Sequence, residues 1–145
     1  MKIATASVTV RFEAAHRLPN VESWHKCGRI HGHNYKVVLR LTGQIDEATG
    51  MVEDFWIIKS QLNALLLDPK IGPDHQYLNE IPGLENPTAE NIAVYIFEYL
   101  TGKRKLARRR DAIQPNLVAV EVWENDDVCA MYEGPRIEPP ARLEE

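Results

Sequence analysis

The stretch that decides the fold is His31-Gly32-His33-Asn34-Tyr35-Lys36-Val37-Val38-Leu39-Arg40-Leu41-Thr42. Its later residues alternate apolar and polar, the period-two pattern of a strand with one buried face. Residues i and i+2 of a strand point to the same side, so His31 and His33 can converge on one ion. Gly32 between them lets another backbone or a ligand come close.

Upstream, residues 3–15 are rich in Val, Thr and Ala and read as a first strand, with His16 at its end. Residues 17–29, with Pro19, Asn20 and Gly28, read as a loop. Downstream, residues 46–50 form a turn, after which Met51-Val52 closes a hairpin. Asp54 is placed to cap a helix whose apolar stripe is Phe55, Ile58, Leu62, Leu65 and Leu66. A long loop over 68–86 follows, and Pro87-Thr88 opens a second helix with Ile92, Ile96, Tyr99 and Leu100 on one face. Residues 117–123 and 128–132 read as two strands around the turn 124–127. The order β-β-α-α-β-β implies an α+β fold, a four-stranded antiparallel sheet with two helices on one face. Such a sheet leaves two edges exposed, so association through the sheet is expected.

The chain has 145 residues, 44% hydrophobic and 26% charged, and reads as one soluble domain over 1–145, its core about 3–134. A Pro-rich tail occupies 135–145. No apolar run approaches a membrane span, and the N-terminus lacks an apolar signal core, so the cytoplasm is the default address. A net charge of −4 argues against a nucleic-acid partner. The exception is the basic run 103–110, read as a solvated loop, with steering of an anionic substrate or contact with RNA as alternatives. Two cysteines, Cys27 and Cys129, are too few for a disulfide framework. Cys129 reads as a buried small hydrophobe in an apolar strand.

Three histidines on adjacent strands, His16, His31 and His33, would leave zinc an open fourth position, as catalytic sites do. His25, on the loop, is the alternative third ligand. Cys27 precedes His31 by four residues. Its chemistry fits a base or nucleophile, a fourth metal ligand, or an inert thiol. Asp74-His75 on the long loop is a carboxylate beside an imidazole that it could orient. Glu124 at a strand end is a suitable acceptor for paired N–H groups of a heterocycle. Thr88 and Glu90 are sufficiently explained as an N-cap and a dipole-favoured acid.

Together these blocks are a close match to a known family. Phe12-Glu13-Ala14-Ala15-His16-Arg17-Leu18-Pro19, Cys27-Gly28-Arg29-Ile30-His31-Gly32-His33-Asn34, Asp74-His75, Asn86-Pro87-Thr88-Ala89-Glu90-Asn91 and Glu124 resemble the 6-pyruvoyltetrahydropterin synthase family. The Cys-x3-His-Gly-His spacing is similar to its bacterial 6-carboxytetrahydropterin synthase branch. The resemblance covers about residues 8–134, with a longer 103–115 segment and the tail as departures. It implies the T-fold (tunnelling fold) as an oligomeric barrel, trimers stacking into hexamers with active sites between subunits. It implies a pterin triphosphate substrate and zinc on His16, His31 and His33. Cys27 would be the base, His75 with Asp74 a proton relay, and Glu124 the pterin anchor, with Glu90 and Thr88 beside it.

Overall fold

The computed structural model describes residues 1–104 and 116–135. Most of the basic run 103–110 and nearly all of the Pro-rich tail lie outside the described residues. Two strands of fourteen residues open the chain, β1 (Ile3–His16) and β2 (His31–Gln44). Helices α1 (Phe55–Leu66) and α2 (Ala89–Leu100) follow, then β3 (Leu117–Trp123) and β4 (Cys129–Tyr132). The sheet is antiparallel throughout, in the order β1-β2-β3-β4. The α+β reading and its element order therefore hold.

The alternation in β2 does the sorting. Tyr35, Val37, Leu39 and Leu41 are fully buried, and their partners across the register, Phe12 and Val8 of β1 and Val120 and Val122 of β3, share that face. Against it pack Ile58, Leu62, Leu65 and Leu66 of α1 and Ile92, Ala93, Ile96 and Leu100 of α2, in one core. Each such aliphatic side chain contributes about 1.5–3 kcal/mol relative to exposure. Asp54 accepts from Trp56 and Ile57 N–H, and Thr88 from Asn91 N–H, so both helices start at their expected caps. The opposite sheet face is polar, with a Thr5–Thr42 hydroxyl pair at 2.7 Å and an Arg40–Glu121 ion pair at 2.9 Å.

Three expectations need correction. Met51-Val52 forms no strand, because β2 already has β1 and β3 on its two sides and offers no free edge. Instead Asp46 N–H donates to the Met51 carbonyl, closing the turn. Phe55, the first residue of α1, is 58% exposed, so the buried stripe begins at Ile58. Cys129 is exposed rather than buried. It lies on the edge strand opposite Trp123, out of step with Ala130 and Tyr132, the residues of β4 that pack against the core.

Candidate active site

Strand register builds the centre of the site. His16 stands directly opposite His31, and His33 opposite Ala14, so the three imidazoles leave the same side of one sheet end. Their ring centroids lie 4.6, 4.9 and 5.0 Å apart. One nitrogen from each falls within 4.8 Å of the others, the one such ligand group among the described residues.

The outer nitrogens fix the tautomers. His16 Nδ1 sits 2.8 Å from the Pro87 carbonyl and His31 Nδ1 2.7 Å from the Arg29 carbonyl. A carbonyl only accepts, so each Nδ1 carries the proton and each Nε2 presents a lone pair. These two Nε2 atoms face each other at 3.0 Å. Two lone pairs at that distance repel unless a cation lies between them. His33 Nε2, buried, has no hydrogen-bond partner at all. Burial pulls the His16 and His33 pKa values below the ordinary 6.5, outweighing the Pro87 carbonyl bond at His16 and the Glu124 carboxylate, which push the other way. Both rings are thus neutral near pH 7, and the 3.8 Å contact of His33 Nε2 with Glu124 is not an ion pair. Three imidazoles whose ring nitrogens converge fit a divalent metal and leave it an open position.

Beneath them Tyr35 stacks on Phe12, centroids 4.7 Å apart, and its hydroxyl reaches His16 Nδ1 at 3.2 Å. This floor was not singled out from sequence, although Tyr35 follows His33 by two and so must share its face. The Pro87 carbonyl is a backbone group and left no sequence signal.

Cys27 lies in a short 3-10 turn, Lys26–Gly28, tied back toward β1. Leu18 N–H donates to the Cys27 carbonyl at 2.8 Å, and Arg17 Nε to the Gly28 carbonyl at 3.2 Å. The thiol stays outside the ligand group, and so does His25, whose ring accepts a hydrogen bond from Cys27 N–H instead. Of the two candidates for third ligand, the geometry takes His16.

Glu124, Glu90 and Thr88, far apart in sequence, line one cleft of about 230 Å³ with Leu18 and Cys129. Glu124 links the cleft to the histidines through His33. On another side, an open groove of about 530 Å³ is lined by Glu13, Gly32, His33, His75 and Tyr77. Asp74 and His75 form a true pair there, Oδ2 to Nδ1 at 2.9 Å. Asp74 Oδ1 also accepts from Glu13 N–H. His75 N–H donates to the Glu13 carbonyl, and its backbone takes φ 57°, a left-handed conformation unusual for a side-chain-bearing residue. The Asp74 hydrogen bond raises the His75 pKa, although the ring is 73% exposed.

Known proteins resemble this arrangement. The family model described as 6-pyruvoyl tetrahydropterin synthase matches residues 5–135. The 6-carboxy-5,6,7,8-tetrahydropterin synthase of Synechocystis is 41% identical over 135 residues, 88% of this chain and 92% of that protein. The human 6-pyruvoyl tetrahydrobiopterin synthase is 33% identical over 144 residues, 90% of this chain and 92% of its own length. The solved 6-pyruvoyl tetrahydropterin synthase of Caenorhabditis elegans superimposes with a TM-score of 0.76 at 29% identity, covering 93% of this chain and 98% of that one.

Proposed function

The chain belongs to the 6-pyruvoyl tetrahydropterin synthase family, and on that premise we propose that it is a zinc-dependent 6-carboxy-5,6,7,8-tetrahydropterin synthase. Its substrate in this reading is 7,8-dihydroneopterin triphosphate. Its products are 6-carboxytetrahydropterin, acetaldehyde and triphosphate, an early step toward queuosine. The observation that carries the reading is the donor set, two imidazoles with tautomers fixed by carbonyls and a third with an orphaned buried nitrogen. The 41% identity to the Synechocystis enzyme and the Cys-x3-His-Gly-His spacing favour the carboxy product.

His16, His31 and His33 would hold the zinc, which supplies Lewis acidity toward the substrate's side-chain hydroxyls. Glu124 accepts from the amino and ring N–H groups of the pterin, a bidentate pairing favoured where water is excluded. Thr88 and Glu90 border the same cleft. Cys27 acts as the base that moves protons between the pterin and the first side-chain carbons. His75, its ring held by Asp74, relays a proton. Because β1 and β4 leave the sheet with two edges, the active form is read as a homo-oligomer, trimers stacked into a hexamer, with sites completed between subunits.

Anaerobic incubation of the zinc-loaded protein with 7,8-dihydroneopterin triphosphate, followed by mass spectrometry and an acetaldehyde assay, tests the reading. Carboxytetrahydropterin with stoichiometric acetaldehyde is the expected result. A product keeping all three side-chain carbons would instead align the chain with the human relative. Absence of turnover with metal bound would make it a pterin- or metal-binding protein.

A further inference from the structure

His25 is a histidine that the metal site does not use, yet it is bonded to the residue proposed as the base. Its Nδ1 accepts the Cys27 backbone N–H at 3.1 Å, making it the N-cap of the turn Lys26–Gly28. An imidazole accepting at Nδ1 carries its proton at Nε2, so the contact selects one tautomer of a neutral ring. Trp24 lies against that ring, centroids 5.5 Å apart and planes 29° from parallel. Trp24 is itself 79% exposed. The turn is otherwise tied by Arg17, Leu18 and its own backbone. Leu18 and Arg17 hold the carbonyls of Cys27 and Gly28, and Gly28 N–H returns to the His25 carbonyl. Within this set, only His25 holds the N–H of Cys27.

We propose that His25 is a positioning residue for Cys27: its ring acceptor, backed by Trp24, fixes the turn so that the thiol points in one direction. This rests on the reading of Cys27 as the base. The turn has only two i to i+3 backbone bonds, Gly28 N–H to the His25 carbonyl and Arg29 N–H to the Lys26 carbonyl, so a side-chain cap is a large share of its order. Freed of that cap the turn samples other orientations. A reacting group misplaced by about 1 Å can cost on the order of 100-fold in rate. Zinc content is expected to hold, since strand register fixes all three ligands and the Pro87 carbonyl holds His16.

Two substitutions separate the acceptor from the ring. His25→Asn keeps a side-chain acceptor of the type preferred at N-caps and loses the ring, whereas His25→Phe keeps the ring against Trp24 and loses the acceptor. Turnover, zinc stoichiometry and site-resolved alkylation of Cys27 by iodoacetamide are measured on zinc-loaded protein, with Cys27→Ala in parallel. The expected result is kcat within about threefold of wild type for His25→Asn, and a loss of about tenfold or more for His25→Phe. KM and zinc content stay unchanged, and the Cys27 alkylation rate is altered in the Phe variant alone. Wild-type kcat in His25→Phe, or loss of zinc from it, overturns the proposal. So does an impaired Asn variant beside an active Phe variant, which would make the ring, not the acceptor, the working part. Full activity in Cys27→Ala would instead remove the reading beneath it. An inactive Cys27→Ala with an unimpaired His25→Phe sinks the positioning role alone.

Discussion

The five histidines divide into two kinds of place. His16, His31 and His33 stand on β1 and β2, and His25 and His75 stand on loops. On the strands the backbone ladder decides position: fourteen consecutive pairs from Ile3–Gln44 to His16–His31 fix which rings face each other. On the loops each ring rests on a side-chain or backbone partner next to it, His25 on Cys27 N–H and His75 on Asp74, with the His75 backbone N–H donating to the Glu13 carbonyl. The strand histidines are thus prearranged by long-range cooperative structure, which suits a permanent ligand set. The loop histidines can be shifted by a single substitution, which suits groups that steer or pass protons.

Removing a strand ring tests that division most severely. His31→Ala leaves the core intact, because His31 is only half-buried and its strand partners remain. It deletes one of three ligands, so metal binding and turnover should both fall by about a thousandfold or more. Metal analysis of the purified variant and the acetaldehyde assay read this directly. Retention of stoichiometric zinc would break the claim that His31, placed by the register, is one of the ligands.

Tyr35→Phe is a milder probe of the same region. The ring stays stacked on Phe12 and only the hydroxyl 3.2 Å from His16 Nδ1 is lost. Groups that orient a ligating imidazole commonly contribute 10- to 100-fold in metal affinity; with the Pro87 carbonyl still in place, about tenfold is expected here. Zinc titration against a competing chelator measures it. An unchanged affinity would leave Pro87 as the whole of the orienting shell.

The same division explains what could be read from sequence. Period-two alternation in β2 reveals its buried face and puts His31 and His33 on one side, so the sheet and that pair followed from spacing, whereas His16 stood beside His25 as third ligand and was chosen by the family resemblance. The meeting of Glu124, Thr88 and Glu90 was invisible by spacing, since turn acids and caps are commonplace. They come together only when the fold lines one cleft with all three. Cys129 misled because β4 is short and lies at an edge, where an apolar run no longer implies burial. The Pro87 carbonyl and the His25 cap are backbone-mediated contacts, and no residue type advertises them.

Thr88→Ala probes a residue that serves both regions, since the α2 N-terminus carries the Pro87 carbonyl to His16 and Thr88 to the cleft. Loss of this cap should cost about 1 kcal/mol of stability by denaturant unfolding. A loss of zinc affinity beyond that seen with Tyr35→Phe would show that the helix end, rather than the strands, sets the His16 ring.

The smallest expected effect belongs to the Asp74–His75 pair. Asp74 raises the His75 pKa above 6.5, first through the hydrogen bond and then through its charge. Asp74→Asn keeps an acceptor for Glu13 N–H but removes the charge, so the His75 titration midpoint should move back down toward 6.5. NMR of the imidazole C–H resonances follows this directly, and an unmoved midpoint would dissolve the dyad. The sign in stability is set by which protonation state Asp74 favours. A folded-state pKa that is raised stabilises the protonated form, so the contribution is fully present below the unfolded value and fades as pH rises through the folded one. The wild type should therefore lead Asp74→Asn by more at about pH 6 than at about pH 8.5. With the ring 73% exposed the lead stays small. A lead that grew with pH would mean that Asp74 acts through the Glu13 backbone, holding β1 rather than His75.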